Sequence, residues 1–138
     1  MLFVSSDRRR LQQRTFKNKE YSYKNSSLLF GKFGIQALSK GVLKVRELIP
    51  MKFFLSKIFK GIAKVWIRFL PEKPITQKPS EVRMGKGKGR FHTWIAPIKA
   101  GTVLFEFSNC NLTLELIKKI KIVLCKLSIR TKFITLGR

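Results

Sequence analysis

The sequence predicts an α+β fold in which two helices pack on a mostly antiparallel sheet, with a basic arm in front. Two segments have apolar residues at helical spacing, and several shorter segments alternate between apolar and polar residues as strands do. The chain has 138 residues, which suits one domain, and 44% of them are apolar. Lys and Arg number 30 against 7 Asp and Glu, so the net charge of +23 favours a polyanionic partner.

Residues 1–27 are basic and polar and show little periodicity, so we expect an extended arm. Its cations are Arg8, Arg9, Arg10, Arg14, Lys17, Lys19 and Lys24. They alternate with Phe16, Tyr21 and Tyr23, whose rings can stack on bases, and this favours contact with RNA. The alternative is a solvated disordered tail. A single domain is expected to follow over residues 28–138.

Residues 33–38 are predicted to form a short strand, and residues 45–59 a helix with apolar side chains at helical spacing. Pro50 conflicts with the helix, because proline in a helix interior costs about 3 kcal/mol. Either the helix proper begins near Pro50 or it is kinked there. Gly61 is a suitable end for this helix.

Residues 62–70 alternate as a strand with two different faces. Val65, Ile67 and Phe69 share the apolar face, which suits a core. The opposite face carries Lys64, Trp66 and Arg68. A basic and aromatic face suits a partner, although an ordinary solvated face has the same pattern.

Residues 71–90 are predicted to form a long connection, punctuated by prolines and then by glycines. A connection of about 20 residues is unusual in a small domain and is often functional. Together with the two residues that follow, it gives a candidate functional loop over residues 71–92.

The remaining elements close the fold. Strands are expected at 93–98 and 103–107, joined by a turn, and a last strand at 130–135. Between them we expect a helix to about Leu127, capped by Asn109 or Asn111. Its apolar stripe consists of Leu116, Ile120, Leu124 and Leu127.

The composition argues against an enzyme, a metal site or a cofactor. His92 is the only histidine, and the seven carboxylates are scattered. Cys110 and Cys125 have no zinc-site spacing, and we expect both to be buried thiols. No run of about 18 apolar residues is present, so no membrane span is predicted.

The most distinctive motif has four cations and three glycines in eight residues. It consists of Arg83, Met84, Gly85, Lys86, Gly87, Lys88, Gly89 and Arg90. Glycines permit a close approach of the backbone, and the cations neutralise phosphates. The spacing fits neither a dinucleotide-binding fingerprint nor a Walker A loop. The motif therefore predicts a loop that contacts phosphates, and a solvated flexible hairpin is the alternative.

Long stretches of the chain resemble the ribosomal protein uL16 family, called L16 in bacteria and organelles. The resemblance is carried by residues 64–76, by Lys78-Pro79 and by residues 81–89. It continues through residues 31–35, Leu104-Phe105-Glu106, Lys126-Leu127 and Lys132-Phe133, and so covers about residues 29–135.

The resemblance implies a non-enzymatic component of the large ribosomal subunit that joins late in assembly. It implies that the motif at residues 83–90 points toward the peptidyl transferase centre and the A-site tRNA. The implied rRNA contacts are the seven arm cations with Lys32, Lys64, Trp66, Arg68, Lys73, Lys78, Arg130 and Lys132. Neighbouring large-subunit proteins are further expected partners, with no membrane, no homo-oligomer, no metal and no cofactor. The alternative function is a free basic module that binds nucleic acid or a membrane surface outside the ribosome.

The chain also departs from the family pattern. Lys44 stands where family members usually have a threonine that can cap the first helix, and Pro50 has no counterpart. His92 is expected to be a strand-edge residue beside RNA. The chain is rich in Phe, Ile and Lys and has few alanines, and residues 51–58 of its first helix contain no alanine where bacterial family members usually have an Ala-rich helix. These features favour a mitochondrial ribosome over a plastid or bacterial cytoplasmic one.

Overall fold

The computed structural model describes residues 22, 25–85, 87–108 and 113–136. Within them the chain forms seven strands and two helices. In order these are β1 (Phe33–Ala37), β2 (Gly41–Lys44), α1 (Val45–Ile58), β3 (Val65–Ile67), β4 (Lys73–Gln77), β5 (Arg90–Ile98), β6 (Val103–Phe107), α2 (Leu114–Leu124) and β7 (Thr131–Thr135). The predicted α+β class is confirmed.

The strands form two sheets rather than the one sheet that was expected. The first has the order β3-β6-β1-β7 and the second the order β2-β5-β4. Every strand pair in both sheets is antiparallel. The alternation of apolar residues predicts strands but not their partners, and this is why the division into two sheets could not be foreseen.

Helix α1 begins at Val45, so a start near Pro50 is wrong. Lys44 occupies the N-cap position and makes no side-chain capping bond. Pro50 lies inside the helix on its exposed side, while Leu48, Met51 and Leu55 are buried on the other. Proline lacks a backbone N–H and so removes one hydrogen bond from the helix. Packing of the buried apolar side keeps the helix continuous across this position. The chain turns after the helix at Gly61, whose φ of +75° suits glycine.

Helix α2 is capped by Thr113 and not by either predicted asparagine. The Thr113 side chain accepts a hydrogen bond from the backbone N–H of Leu116 at 3.4 Å. Asn109 and Asn111 lie outside the described residues. The helix ends at Leu124, three residues short of the expected end. Ile120 and Val123 are its buried residues.

The core is built mainly from aliphatic side chains of both helices and both sheets, and it contains a small group of packed aromatic rings. Phe59 and Phe107 are stacked with ring centroids 4.5 Å apart, and Phe105 packs edge-on against Phe69. The apolar face predicted for residues 62–70 is confirmed, because Val65, Ile67 and Phe69 pack against this core. Regular strand geometry extends only over Val65–Ile67 in that segment.

The predicted connection over residues 71–90 contains a strand that the sequence analysis missed. Strand β4 pairs with β5 from Lys73 opposite Ile95 to Gln77 opposite Arg90. The irregular part of the segment is thus the loop at residues 78–89. Pro74 conceals the strand in the sequence, but β4 is an edge strand of its sheet, where a missing N–H donor is tolerated.

The end of the predicted arm is attached to the body. The N–H of Ser22 donates to the carbonyl of Ala100, and the carbonyl of Asn25 accepts from the N–H of Val103, both at 2.9 Å. The Gln36 side chain donates to the carbonyl of Ser26. The arm residues 1–21, 23 and 24 lie outside the described residues.

One buried carboxylate links three parts of the chain. Glu106 on β6 is fully buried, and it accepts hydrogen bonds from the backbone N–H groups of Leu29, Phe30 and Gly31. The same carboxylate forms an ion pair with the Arg68 guanidinium, whose side chain is 11% exposed. We call these groups the Glu106 clasp. A buried charge is tolerated when it is both paired and hydrogen-bonded, and both conditions hold here.

Gly31 completes the clasp by allowing a close backbone approach. A Cβ at this position would lie 1.9 Å from the carbonyl oxygen of Phe107. Any side chain would push residues 29–31 away from β6 and from the carboxylate. The glycine is therefore required for the hydrogen bonds to Glu106.

Replacing Glu106 should destabilise the domain strongly. Glu106→Gln leaves Arg68 without its counter-charge and weakens the bonds to the backbone, so we expect unfolding to require about 3 kcal/mol less free energy. The measurement is urea denaturation of the full chain, followed by circular dichroism in moderate salt.

Glu81→Gln is the matched control, because it changes the net charge equally at an exposed loop position. It should alter stability little. Equal effects of the two substitutions would show that the clasp contributes nothing beyond net charge.

Candidate nucleic-acid interface

The loop at residues 78–89 is carried by the β4–β5 hairpin. Strand β5 is nine residues long, and its other end is buried in the body beside β2. The hairpin therefore gives the loop a firm base. Met84, in the middle of the loop, is fully exposed. Val82 is also exposed, so the loop does not fold back onto the core.

The base of the loop is held by two contacts. Gly89 lies against the backbone of Gln77, where a Cβ would come within 2.6 Å of the Gln77 carbonyl carbon. The Lys78 ammonium donates a hydrogen bond across the loop to the carbonyl of Gly85. Gly85 and Gly87 have φ values of +102° and +81°, which other residues rarely adopt. These glycines turn the chain at the tip.

The described cations of the motif are directed to solvent. Arg83, Lys88 and Arg90 are exposed, and Lys86 lies outside the described residues. Exposed cations on glycine-rich backbone can approach phosphates closely. Glu81 is an exposed carboxylate in the same loop.

An open cleft of about 660 Å³ lies at the base of the loop. Three cations line it, namely Lys78, Lys88 and Arg90, and so does His92 on β5. None of the described residues that line it carries a carboxylate. The cleft is thus positively charged and open to solvent, which suits a phosphate group better than an apolar ligand.

On the face of residues 62–70 that was predicted to be basic, aromatic rings and cations pack against one another. The Trp66 ring packs on Phe30 with centroids 6.1 Å apart. The Lys64 ammonium lies 5.6 Å from the Trp66 ring centroid. Arg68 does not fit the expected rRNA contact, because its guanidinium is buried against Glu106. Its role in the structure is to balance that carboxylate.

The other predicted rRNA contacts are spread over the surface. Lys32, Lys73, Lys132 and Arg130 are exposed, and Lys78 is half-buried at the loop base. Lys132 lies on β7, an edge strand of the first sheet, and Lys73 on β4, an edge strand of the second. Lys73 and Lys132 therefore belong to different sheets. The seven arm cations lie outside the described residues.

The described residues contain no group of three or more His, Cys, Asp or Glu side chains that could hold a metal ion. His92 is exposed and lines the cleft. The expectation of a buried thiol is wrong for Cys125, which is exposed after the end of α2, and Cys110 lies outside the described residues. No helix in the described part of the chain is both long and apolar enough to cross a bilayer.

The sequence pattern does not reveal two residues on which this surface depends, the exposed Phe30 and the buried Glu106. Phe30 was not recognised, because it precedes the first strand in a segment without periodicity. Glu106 was noticed only as part of the family resemblance. The available signal was its position, since it is a carboxylate inside the otherwise apolar strand β6 of a chain that has only 7 carboxylates.

Comparison with known proteins identifies the family of the chain. Residues 5–134 match the family described as ribosomal protein L16p/L10e. "Large ribosomal subunit protein uL16" of Francisella tularensis subsp. holarctica is 43% identical over 98 residues, which cover 71% of this chain and 72% of that protein. The protein of the same name from F. tularensis subsp. novicida is 42% identical over the same shares of both chains. The chain therefore belongs to the ribosomal protein L16p/L10e family.

Proposed function

We propose that this protein is a structural component of the large ribosomal subunit, and that its loop at residues 78–89 helps to position A-site tRNA. Membership of a ribosomal protein family supports the structural role. The observation that carries the tRNA role is the exposed glycine-rich loop, which extends from a firm hairpin and bears Arg83 and Lys88.

The body of the protein binds large-subunit rRNA by neutralising phosphates. A net charge of +23 opposes the compact state of an isolated chain, and rRNA supplies the missing counter-charge. Exposed cations on both sheets, such as Lys73 and Lys132, suit contacts on several sides. Neighbouring large-subunit proteins are further partners, and the protein joins the subunit late in assembly.

The loop makes a different kind of contact. It contributes little to the core, and two of its glycines have positive φ values that let the backbone approach a ligand closely. The Arg83 guanidinium can contact a phosphate through two parallel hydrogen bonds, which a lysine cannot do. The loop therefore serves the functional centre more than it serves attachment.

We further propose that the ribosome in question is mitochondrial. Support comes from composition, because the chain is rich in Phe, Ile and Lys and α1 contains Phe53 and Phe54. A first helix that departs from the family pattern, beside a loop motif that resembles the family, suits an organellar gene. Recovery of the chain only in ribosomes from another compartment would contradict this assignment.

Removing the loop cations should separate attachment from function. In Arg83→Ala/Lys88→Ala, occupancy of the protein in purified large subunits should fall by less than about twofold, because the body retains most of its cations. Binding of A-site tRNA should fall by about tenfold or more, because two charge-assisted contacts are lost. Both quantities are measured on the same subunits, by quantitative mass spectrometry and by filter binding.

Lys118→Ala/Lys119→Ala is the matched control, since it removes the same charge from the exposed side of α2. Arg83→Lys tests whether the shape of the guanidinium matters in addition to its charge. A parallel loss of occupancy and tRNA binding in the loop variant would make the loop an rRNA anchor. No change in either quantity would refute the tRNA role.

Shortening the arm should weaken the attachment of the protein to the large subunit. Deletion of residues 1–21 removes six cations but retains Ser22, which is bonded to Ala100. We expect weaker incorporation into the large subunit and a steeper loss of the protein in high-salt washes, because fewer phosphates are neutralised. The folded body should keep its circular dichroism spectrum. Unchanged occupancy after the washes would show that the arm is a dispensable tail.

A further inference from the structure

The Phe30 ring is exposed although it is held in a fixed place. Its residue is 60% exposed, and Leu29 beside it is 67% exposed. The ring stacks on Trp66 at an interplanar angle of 29°, and the Arg68 guanidinium carbon lies 5.4 Å from its centroid. An exposed aromatic side chain that is held in place by such contacts indicates a binding surface.

The backbone of Phe30 is fixed from within the protein. Its N–H donates to the Glu106 carboxylate at 2.6 Å, and the N–H groups on both sides donate to the same carboxylate. A ring fixed before a ligand arrives loses little conformational freedom on binding. The clasp thus prepares the ring for contact with a partner.

The surroundings of the ring are positively charged. The Lys64 ammonium is exposed and lies beside Trp66, and Arg68 balances the buried carboxylate that would otherwise repel an anion. A partner that fits must offer both a flat π face and a negative charge. An unpaired nucleotide offers both, in its base and in its phosphate.

We propose that the exposed part of the Phe30 ring is a stacking site for an unpaired base of RNA. Trp66 supports the ring from behind, and Lys64 contacts the phosphate of the same nucleotide or of the next one. This inference rests on the proposed function, since it specifies one rRNA contact of the body. It requires a single-stranded or bulged nucleotide, because bases within a duplex have no free face.

The test compares three variants of the full chain by fluorescence anisotropy in moderate salt. The probes are a labelled single-stranded RNA oligonucleotide and a fully paired RNA duplex of the same length. Phe30→Leu keeps the apolar bulk and removes the π face, so affinity for the single strand should fall at least about fivefold. Phe30→Tyr keeps the ring and should bind as the natural chain does. Phe53→Leu is the matched control, because Phe53 is 71% exposed on α1 and has no stacked partner among the ring pairs of the described residues.

A second substitution tests the charge separately. Lys64→Gln should reduce the salt dependence of single-strand binding by the equivalent of about one phosphate contact. Phe30→Leu should leave that salt dependence unchanged, because it removes no charge. Duplex affinity should change little in Phe30→Leu.

The outcomes distinguish this inference from the function on which it rests. If Phe30→Leu and Phe30→Tyr bind the single strand equally well, the stacking site is refuted, whether or not the protein is found in large subunits. If Phe30→Leu loses a neighbouring protein from the subunit while RNA binding is intact, the surface binds protein and the inference is wrong. If the natural chain is absent from large subunits, the proposed function fails, and the anisotropy result still decides on the stacking site.

Discussion

The hydrogen bonds and the ion pair of the Glu106 carboxylate are the interactions on which the rest of the structure depends. It lies fully buried in a chain of net charge +23, and it binds residues 29–31 on one side and Arg68 on the other. A buried carboxylate without these partners would be strongly destabilising. With them, it fixes the start of the folded body against β6 and against the segment that follows β3. Gly31 is needed for the same reason, since only a residue without a side chain fits against Phe107.

This arrangement explains how so basic a chain can form a body at all. One cation is neutralised inside, and the described cations of the loop and of the sheet edges remain at the surface. The core consists mainly of Ile, Leu and Val side chains with three buried phenylalanines, and among the described residues Glu106 is the only buried charged residue. The surface cations still repel one another, and a polyanionic partner offsets this repulsion. This fits a protein that works inside a ribonucleoprotein. The loop, the cleft and the aromatic surface are the three parts of the structure that we propose for contact with RNA.

Much of the fold follows from the sequence, and the failures have physical reasons. Alternation in residues 62–70 identifies the core face of Val65, Ile67 and Phe69, because each strand residue is directed to one face or the other. Pro50 misleads, because local propensity is overridden by burial of the far side of α1. Pro74 misleads in the same way, because an edge strand tolerates it.

The sequence likewise predicts some residues of the candidate site and not others. The loop cations are found from composition, since glycines and cations so close together have few structural uses. The basic face of its strand segment predicts a contact between Arg68 and RNA. A strand pattern does not reveal the buried counter-charge of Glu106, which lies on another strand. Phe30 was missed because its position depends on backbone contacts with Glu106, 76 residues away, and no local pattern encodes such a contact.

We propose that this basic body is stable and functional as part of a large ribosomal subunit. Sedimentation of a gentle lysate through sucrose tests it most directly, with the chain detected by an antibody or a tag. At about 0.1 M salt the chain should run with the large subunit and with complete ribosomes, and it should shift toward the top only at much higher salt, as phosphate contacts weaken. A chain that stays near the top of the gradient at low salt, while other large-subunit proteins sediment normally, would contradict the account.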